Sequence, residues 1–169
     1  MSQLNQLRTV NVRPGDLHVT RKNILLETTL GSCVSASLWC KRLCAGGLSH
    51  GVLPRGPSEI DSGDPDAFRY VDLAIRHLVR QFERIGAARE EIQVKLFGGA
   101  DVLPVLSARE GRPTVGSLNC RTAVETIQDL GLRVAASDLG GTRGRRIQFW
   151  VATGEVRVYR LDAWKEVES

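Results

Sequence analysis

From Val34 to Leu53 the chain reads as one β-hairpin whose parity constrains everything around it. Val34, Ala36 and Leu38 alternate with Ser35, Ser37 and Trp39, the period of two expected of a half-buried strand. Lys41 to Cys44 reads as a turn. Ala45 to Leu53 is the returning strand, softened by Gly46-Gly47 and stopped by Pro54. With a two-residue turn at Arg42-Leu43 and no bulge, Lys41 faces Cys44, Ser35 faces His50 and Cys33 faces Val52. Facing side chains share one side of a sheet, and diagonal neighbours lie about 7–8 Å apart. Cys33 and His50 therefore belong on the same face, one diagonal step apart. A single bulge would reverse that parity.

A thiol beside an imidazole can do chemistry. A free cysteine titrates near pH ~8.5, and its thiolate is the nucleophile. Gly31-Ser32 lets the chain turn a tight corner just before Cys33, and such a corner can aim successive N–H groups at one point, as an oxyanion hole requires. His50 would shuttle the proton. The other reading is that Cys33 is a small buried hydrophobe, a common place for cysteine.

The remaining constellations point elsewhere. Cys40, Cys44 and His50 offer a Cys-x3-Cys spacing within the range of structural zinc sites. No second Cys/His pair follows, and parity puts Cys33 and Cys40 on opposite faces, so no metal is expected. Cys120 heads a helix without a base nearby and is expected to be structural. His18 is expected on a surface strand and His77 on the flank of a helical stripe. Gly140 to Arg146 carries three arginines but lacks the Gly-Lys-Ser/Thr ending of a phosphate-binding loop. It is either a solvated basic loop or a surface that meets an acidic protein.

Elsewhere the chain alternates strand and helix signals. Val10, Val12 and Val19 suit short strands around a turn at Arg13 to Asp16, and Asn23 to Leu30 suits a buried strand. Asp64-Pro65 offers an N-cap and a first-turn proline for a helix carrying Phe68, Val71, Ile75, Leu78, Phe82 and Ile85, with Gly86 as its stop. Asn119 to Leu130 is predicted as a second helix. Ile92 to Phe97 and Leu132 to Ala136 are predicted strands, and Ile147 to Val151 pairs with Val156 to Leu161 as a hairpin. Pro104 to Pro113 reads as a loop, and the tail after Asp162 as a frayed end. This pattern predicts a single α+β domain over residues 1–169, with its core at about 15–161 and helices on one side of a mostly antiparallel sheet.

Composition narrows the function classes. Aromatics are 5% of 169 residues and the net charge is +4, which supplies few stacking platforms and no concentrated basic footprint for nucleic acid. The apolar runs are shorter than the roughly 18 residues of a spanning helix. The first residues carry no apolar signal-peptide core, and the four cysteines have no disulfide-framework spacing, so a cytoplasmic protein with reduced thiols is expected.

Leu30-Gly31-Ser32-Cys33-Val34, followed by Gly47-Leu48-Ser49-His50 with Leu53-Pro54, resembles the chemoreceptor glutamine deamidase family, CheD. The resemblance continues in Lys95 to Ala100, in Val115 to Asn119, in Asp138 to Arg145 and in Thr153 to Val156. These blocks come in the family's order over about residues 15–161. The chain departs from the pattern at Gly51-Val52, where the family often has a bulkier pair, which bears on the wall of the pocket. The resemblance implies a three-layered α/β/β sandwich with two main helices. It implies a protein-glutamine glutaminase, an amidohydrolase that converts glutamines of chemotaxis receptors to glutamates without a cofactor. By position, Cys33 matches the nucleophile and His50 the base. A threonine upstream is the family's third member: Thr28 is favoured, with Thr29 and Glu27 in neighbouring registers. The implied partners are chemoreceptor cytoplasmic domains and a CheC-type phosphatase, with no nucleic acid and no membrane insertion, and a monomer is expected. Two other functions fit the same residues: a non-catalytic chemotaxis interaction module, and another cysteine amidohydrolase or protease.

Overall fold

The computed structural model describes residues 6–61, 63–103 and 111–162. In chain order these form β1 (Thr9–Asn11), β2 (Leu17–Thr20), β3 (Leu25–Leu30), β4 (Val34–Cys40), β5 (Ala45–Ser49), helix α1 (Val71–Arg84), β6 (Gln93–Gly98), helix α2 (Val115–Asp129), β7 (Val134–Leu139), β8 (Arg145–Trp150) and β9 (Val156–Arg160). One sheet runs β1-β3-β8-β9 and the other β2-β5-β4-β6-β7. The β1–β3 and β6–β7 pairs are parallel and the other strand pairs antiparallel. This is the expected α+β class.

The layers follow from β4, whose alternate residues serve two different cores. Val34, Ala36, Leu38 and Cys40 face the helices and pack with Ile75, Leu78, Phe82, Ala123 and Ile127. On the opposite side Trp39 packs against a cluster of Leu26, Leu48 and Phe149 between the sheets. Cys33 packs against its neighbour cluster of Leu30, Phe97 and Ile147. The order is therefore helices, five-stranded sheet, four-stranded sheet. Each of these leucines and phenylalanines contributes about 1.5–3 kcal/mol by leaving water.

Four sequence expectations change. The strand β4 is not half-buried: Ser35 and Ser37 are as buried as the residues between them, because the second sheet covers the serine face. The first helix begins at Val71 rather than at Asp64-Pro65, after a 3₁₀ turn at Ala67–Arg69. The cause is a competing backbone pairing. Leu53 bridges Tyr70, Val52 and Leu53 both donate to the Arg69 carbonyl, and Val71 donates to Leu53. The Asp64 side chain instead accepts from the Asp66 N–H. The same pairing ends β5 at Ser49, short of the expected Leu53. The second helix starts at Val115, earlier than Asn119, because Thr114 caps it and accepts from the Ser117 N–H at 3.1 Å. Most of the Pro104 to Pro113 loop and the tail after Asp162 lie outside the described residues.

The first turn of α2 touches the end of β6. A Cβ on Gly116 would sit 2.7 Å from the carbonyl oxygens of both Gly99 and Ala100. Only a hydrogen there lets the helix approach this closely.

Candidate active site

The hairpin register is the one its parity predicts. Cys40 faces Ala45 and Ser37 faces Leu48, and Val34 and Gly51 exchange both backbone hydrogen bonds at 2.9 Å. The turn closes with the Cys44 N–H on the Lys41 carbonyl. Continued one step either way, this register sets Ser35 opposite His50 and Cys33 opposite Val52, so Cys33 and His50 share the face that looks at the second sheet. On that second sheet β3 presents Leu26, Thr28 and Leu30 inward.

Thr28 meets His50 across the gap. Thr28 Oγ1 lies 2.7 Å from His50 Nδ1 and donates its proton to the Val12 carbonyl at 2.6 Å. With that proton spent, the hydroxyl can only accept, so Nδ1 carries the imidazole hydrogen. The Val12 carbonyl, 3.2 Å from Nδ1, favours the same tautomer. Nε2 is then left as a bare lone pair, buried, and without a hydrogen-bond partner among the described residues. Of the neighbouring registers, Thr29 is exposed, and Glu27 pairs with Arg146 on the outer face.

Burial sets the protonation of the pair. Desolvation pushes His50 below the ordinary imidazole range, against the Val12 carbonyl and the Asp16 carboxylate, which favour the charged form. Burial also pushes the Cys33 thiol up, opposed by its own backbone N–H. Both effects favour a neutral thiol beside a neutral imidazole at rest.

Cys33 is half-buried, behind the Gly31-Ser32 corner. Two open clefts flank that corner, divided by Val102. One, of about 230 Å³, is lined by Leu30, Gly31, Arg143 and Leu161; the other, of about 240 Å³, by Ser32, Leu103, Thr114 and Val115. Neither is lined by Cys33 or His50. The wall behind His50 is tight. A Cβ on Gly51 would lie 2.8 Å from the Val71 Cα, so the Gly51-Val52 departure is matched by a close approach of α1.

Two buried polar residues near these positions were not singled out from sequence. Ser35 Oγ is buried without a partner among the described residues, on the same face as Cys33 and His50. Asn119, fully buried in α2, donates to the Ser32 carbonyl at 2.9 Å and to the Val52 carbonyl at 3.0 Å. A buried asparagine inside an amphipathic helix is itself a signal, since it must be repaid with hydrogen bonds.

The other candidates lie apart. Cys40 faces the helices, and Cys44 is exposed in the turn. Cys120 contacts the carbonyls of Gly98 and Gly99. His18 lies in β2 opposite Leu48, and His77 packs on Phe68 and bonds Gln81. Of the loop read as solvated or docking surface, Gly141, Thr142, Arg143 and Arg146 are exposed, and Arg145 alone of its arginines departs from that reading. It is fully buried, and its guanidinium holds the Asp138 carboxylate and the carbonyls of Asp138 and Gly140. It shapes the glycine-rich loop from within.

The family model described as "CheD chemotactic sensory transduction" matches residues 52–160. The chain belongs to the CheD family. A relative from Geobacter sulfurreducens, named probable chemoreceptor glutamine deamidase CheD 2, is 40% identical over 93% of this chain and 92% of its own length. CheD relatives named probable chemoreceptor glutamine deamidase include one from Halorhodospira halophila, 37% identical over 93% of this chain and 72% of its own. Another, from Pyrococcus horikoshii, is 32% identical over 96% and 99%. Among solved structures, the Bacillus licheniformis hypothetical protein YfiH overlays with a TM-score of 0.44 at 12% identity, covering 83% of this chain and 62% of that chain. That likeness is too distant to bear on function.

Proposed function

We propose that this chain is a protein-glutamine deamidase acting on chemoreceptor glutamines, with Cys33 as nucleophile, His50 as base and Thr28 as the residue that orients His50. The observation that carries it is the His50 ring. Its Nδ1 is held by Thr28 and Val12, and its Nε2 is left bare on the face it shares with Cys33. CheD membership and the names of the relatives support the substrate class.

The steps follow from the protonation states. As Cys33 Sγ attacks the glutamine side-chain carbonyl carbon, its proton passes to His50 Nε2. The carbonyl becomes an oxyanion, held by backbone N–H groups at the Gly31-Ser32-Cys33 corner. His50 returns the proton to the departing nitrogen, the C–N bond breaks, and ammonia leaves behind a thioester. Water then attacks the thioester carbon while His50 takes its proton. The C–S bond breaks, the thiol regains a proton, and glutamate is released. Thr28 keeps Nδ1 protonated throughout, the part an orienting third residue plays in a triad.

The reading extends to a cytoplasmic monomer whose partners are receptor cytoplasmic domains and a CheC-type phosphatase, as family membership suggests. The test that separates it from a cysteine protease is ammonia release from a purified receptor fragment, with chain length followed by electrophoresis. Ammonia with an intact chain is the expected result; cleaved chain without ammonia would overturn it.

A further inference from the structure

The β4–β5 ladder stops abruptly beside the reactive cysteine. After the doubly bonded Val34–Gly51 pair, an antiparallel ladder would next bond Leu53 N–H to the Ser32 carbonyl. Leu53 donates instead to Arg69 at 3.0 Å. The Ser32 carbonyl is taken over by Asn119, whose two amide hydrogens also reach Val52. The side-chain amide thus replaces the missing ladder and ties the strand ends that carry Cys33 and His50.

Ser32 C=O and Cys33 N–H belong to one peptide plane. In a trans peptide they point in opposite directions. Fixing the carbonyl on α2 therefore fixes the N–H away from α2. Among the described residues, no backbone or side-chain acceptor takes that N–H from outside residue 33. The Cys33 carbonyl is separately pinned by the Gly99 N–H at 2.8 Å, so both planes around the cysteine are held.

We infer that Asn119 is a positioning residue which, by gripping the Ser32 carbonyl, aims the Cys33 N–H at the oxyanion formed during deamidation. This rests on the deamidase reading above. Asn119 itself touches no reacting atom.

The test compares wild type with Asn119→Ala and the isosteric Asn119→Asp, which cannot donate to two carbonyls. The readouts are ammonia release from a receptor fragment, resolved into kcat and KM, and alkylation of Cys33 by iodoacetamide across pH. Loss of an oxyanion donor costs about 10²–10³-fold in kcat. The expectation is a kcat loss of about 10²-fold, with KM within about threefold and the alkylation pH profile unchanged. A folded variant with kcat within about threefold of wild type, or one that shifts the alkylation profile in step with kcat, would overturn it. If neither variant folds, the wild-type protein still decides the matter. A through-hydrogen-bond coupling between the Asn119 side-chain amide nitrogen and the Ser32 carbonyl carbon, together with a slowly exchanging Cys33 N–H only when a peptide bearing a side-chain aldehyde has added to the thiol, is expected, and the absence of either contradicts the assignment. An inactive wild type sinks the deamidase reading, whereas an active wild type with an equally active variant sinks only the role of Asn119.

Discussion

Thr28 Oγ1 stands 2.7 Å from His50 Nδ1 with its own proton already committed to the Val12 carbonyl. That commitment makes the threonine an acceptor and decides which imidazole nitrogen is bare. Thr28→Val keeps the shape and removes the acceptor. It is expected to lower kcat by about 10²-fold, because the ring loses both its tautomer and its orientation. Thr28→Ser should restore most of the loss. Steady-state ammonia release on a receptor fragment reads both, and a fully active Thr28→Val would remove the threonine from the account.

The pH behaviour follows from burial. His50 is held below the ordinary imidazole range by desolvation, so the base form persists below pH ~6.5. The acid limb of kcat/KM is expected below that value. Cys33 is pushed up by burial, so thiolate absorbance at 240 nm should rise above pH ~8.5. A thiolate appearing below pH ~7 would mean a resting ion pair instead.

The same histidine links stability to pH. Its folded pKa is depressed, so between that value and the unfolded value near ~6.5 the unfolded chain binds more protons. The stability that neutral His50 contributes is complete above pH ~6.5 and is lost as pH falls through the folded pKa. Thermal melts of wild type and His50→Gln should diverge most above that window and converge below it.

Arg145 is expected to be structural. Arg145→Ala leaves the carbonyls of Asp138 and Gly140 without their donor and opens a cavity, at a cost of about 3–5 kcal/mol. Lysine should not rescue it, since one ammonium cannot reproduce the planar fork. Denaturant melts measure the loss, and a change below about 1 kcal/mol would contradict it.

Gly116 is a tight packing constraint near the site. A methyl there meets two carbonyl oxygens at 2.7 Å, so Gly116→Ala is expected to destabilise by about 1–3 kcal/mol. Because Asn119 rides on the same helix, activity should fall further than stability alone explains.

Much of this arrangement was legible before the fold. The hairpin parity held because the turn, four residues from Lys41 to Cys44 rather than the expected two, is still an even number, and no register shift interrupts the β4–β5 pairing. The face of Thr28 could be read from the burying leucines on either side, Leu26 and Leu30, which share its parity. The first helix start was not legible, because Val52 and Leu53 claim the Arg69 carbonyl from across the chain and local capping signals at Asp64-Pro65 cannot register that. Nor was the role of Val12, which acts through a carbonyl that any residue could supply. Arg145 sits in a basic, glycine-rich stretch that reads as surface. Only its place at the start of β8, facing the end of β7 in the other sheet, brings its guanidinium onto Asp138 and Gly140.

The most direct measurement is the mass of receptor cytoplasmic fragments after incubation with wild type, Cys33→Ala and His50→Ala. Replacing NH₂ by OH adds about one mass unit per site, and loss of the acid–base group should slow it by roughly 10²–10⁴-fold. The account predicts a site-specific gain with wild type, none with Cys33→Ala and a strongly slowed gain with His50→Ala. Unchanged receptor masses with wild type, with binding intact and equal in Cys33→Ala, would contradict it and leave a non-catalytic chemotaxis module as the better description.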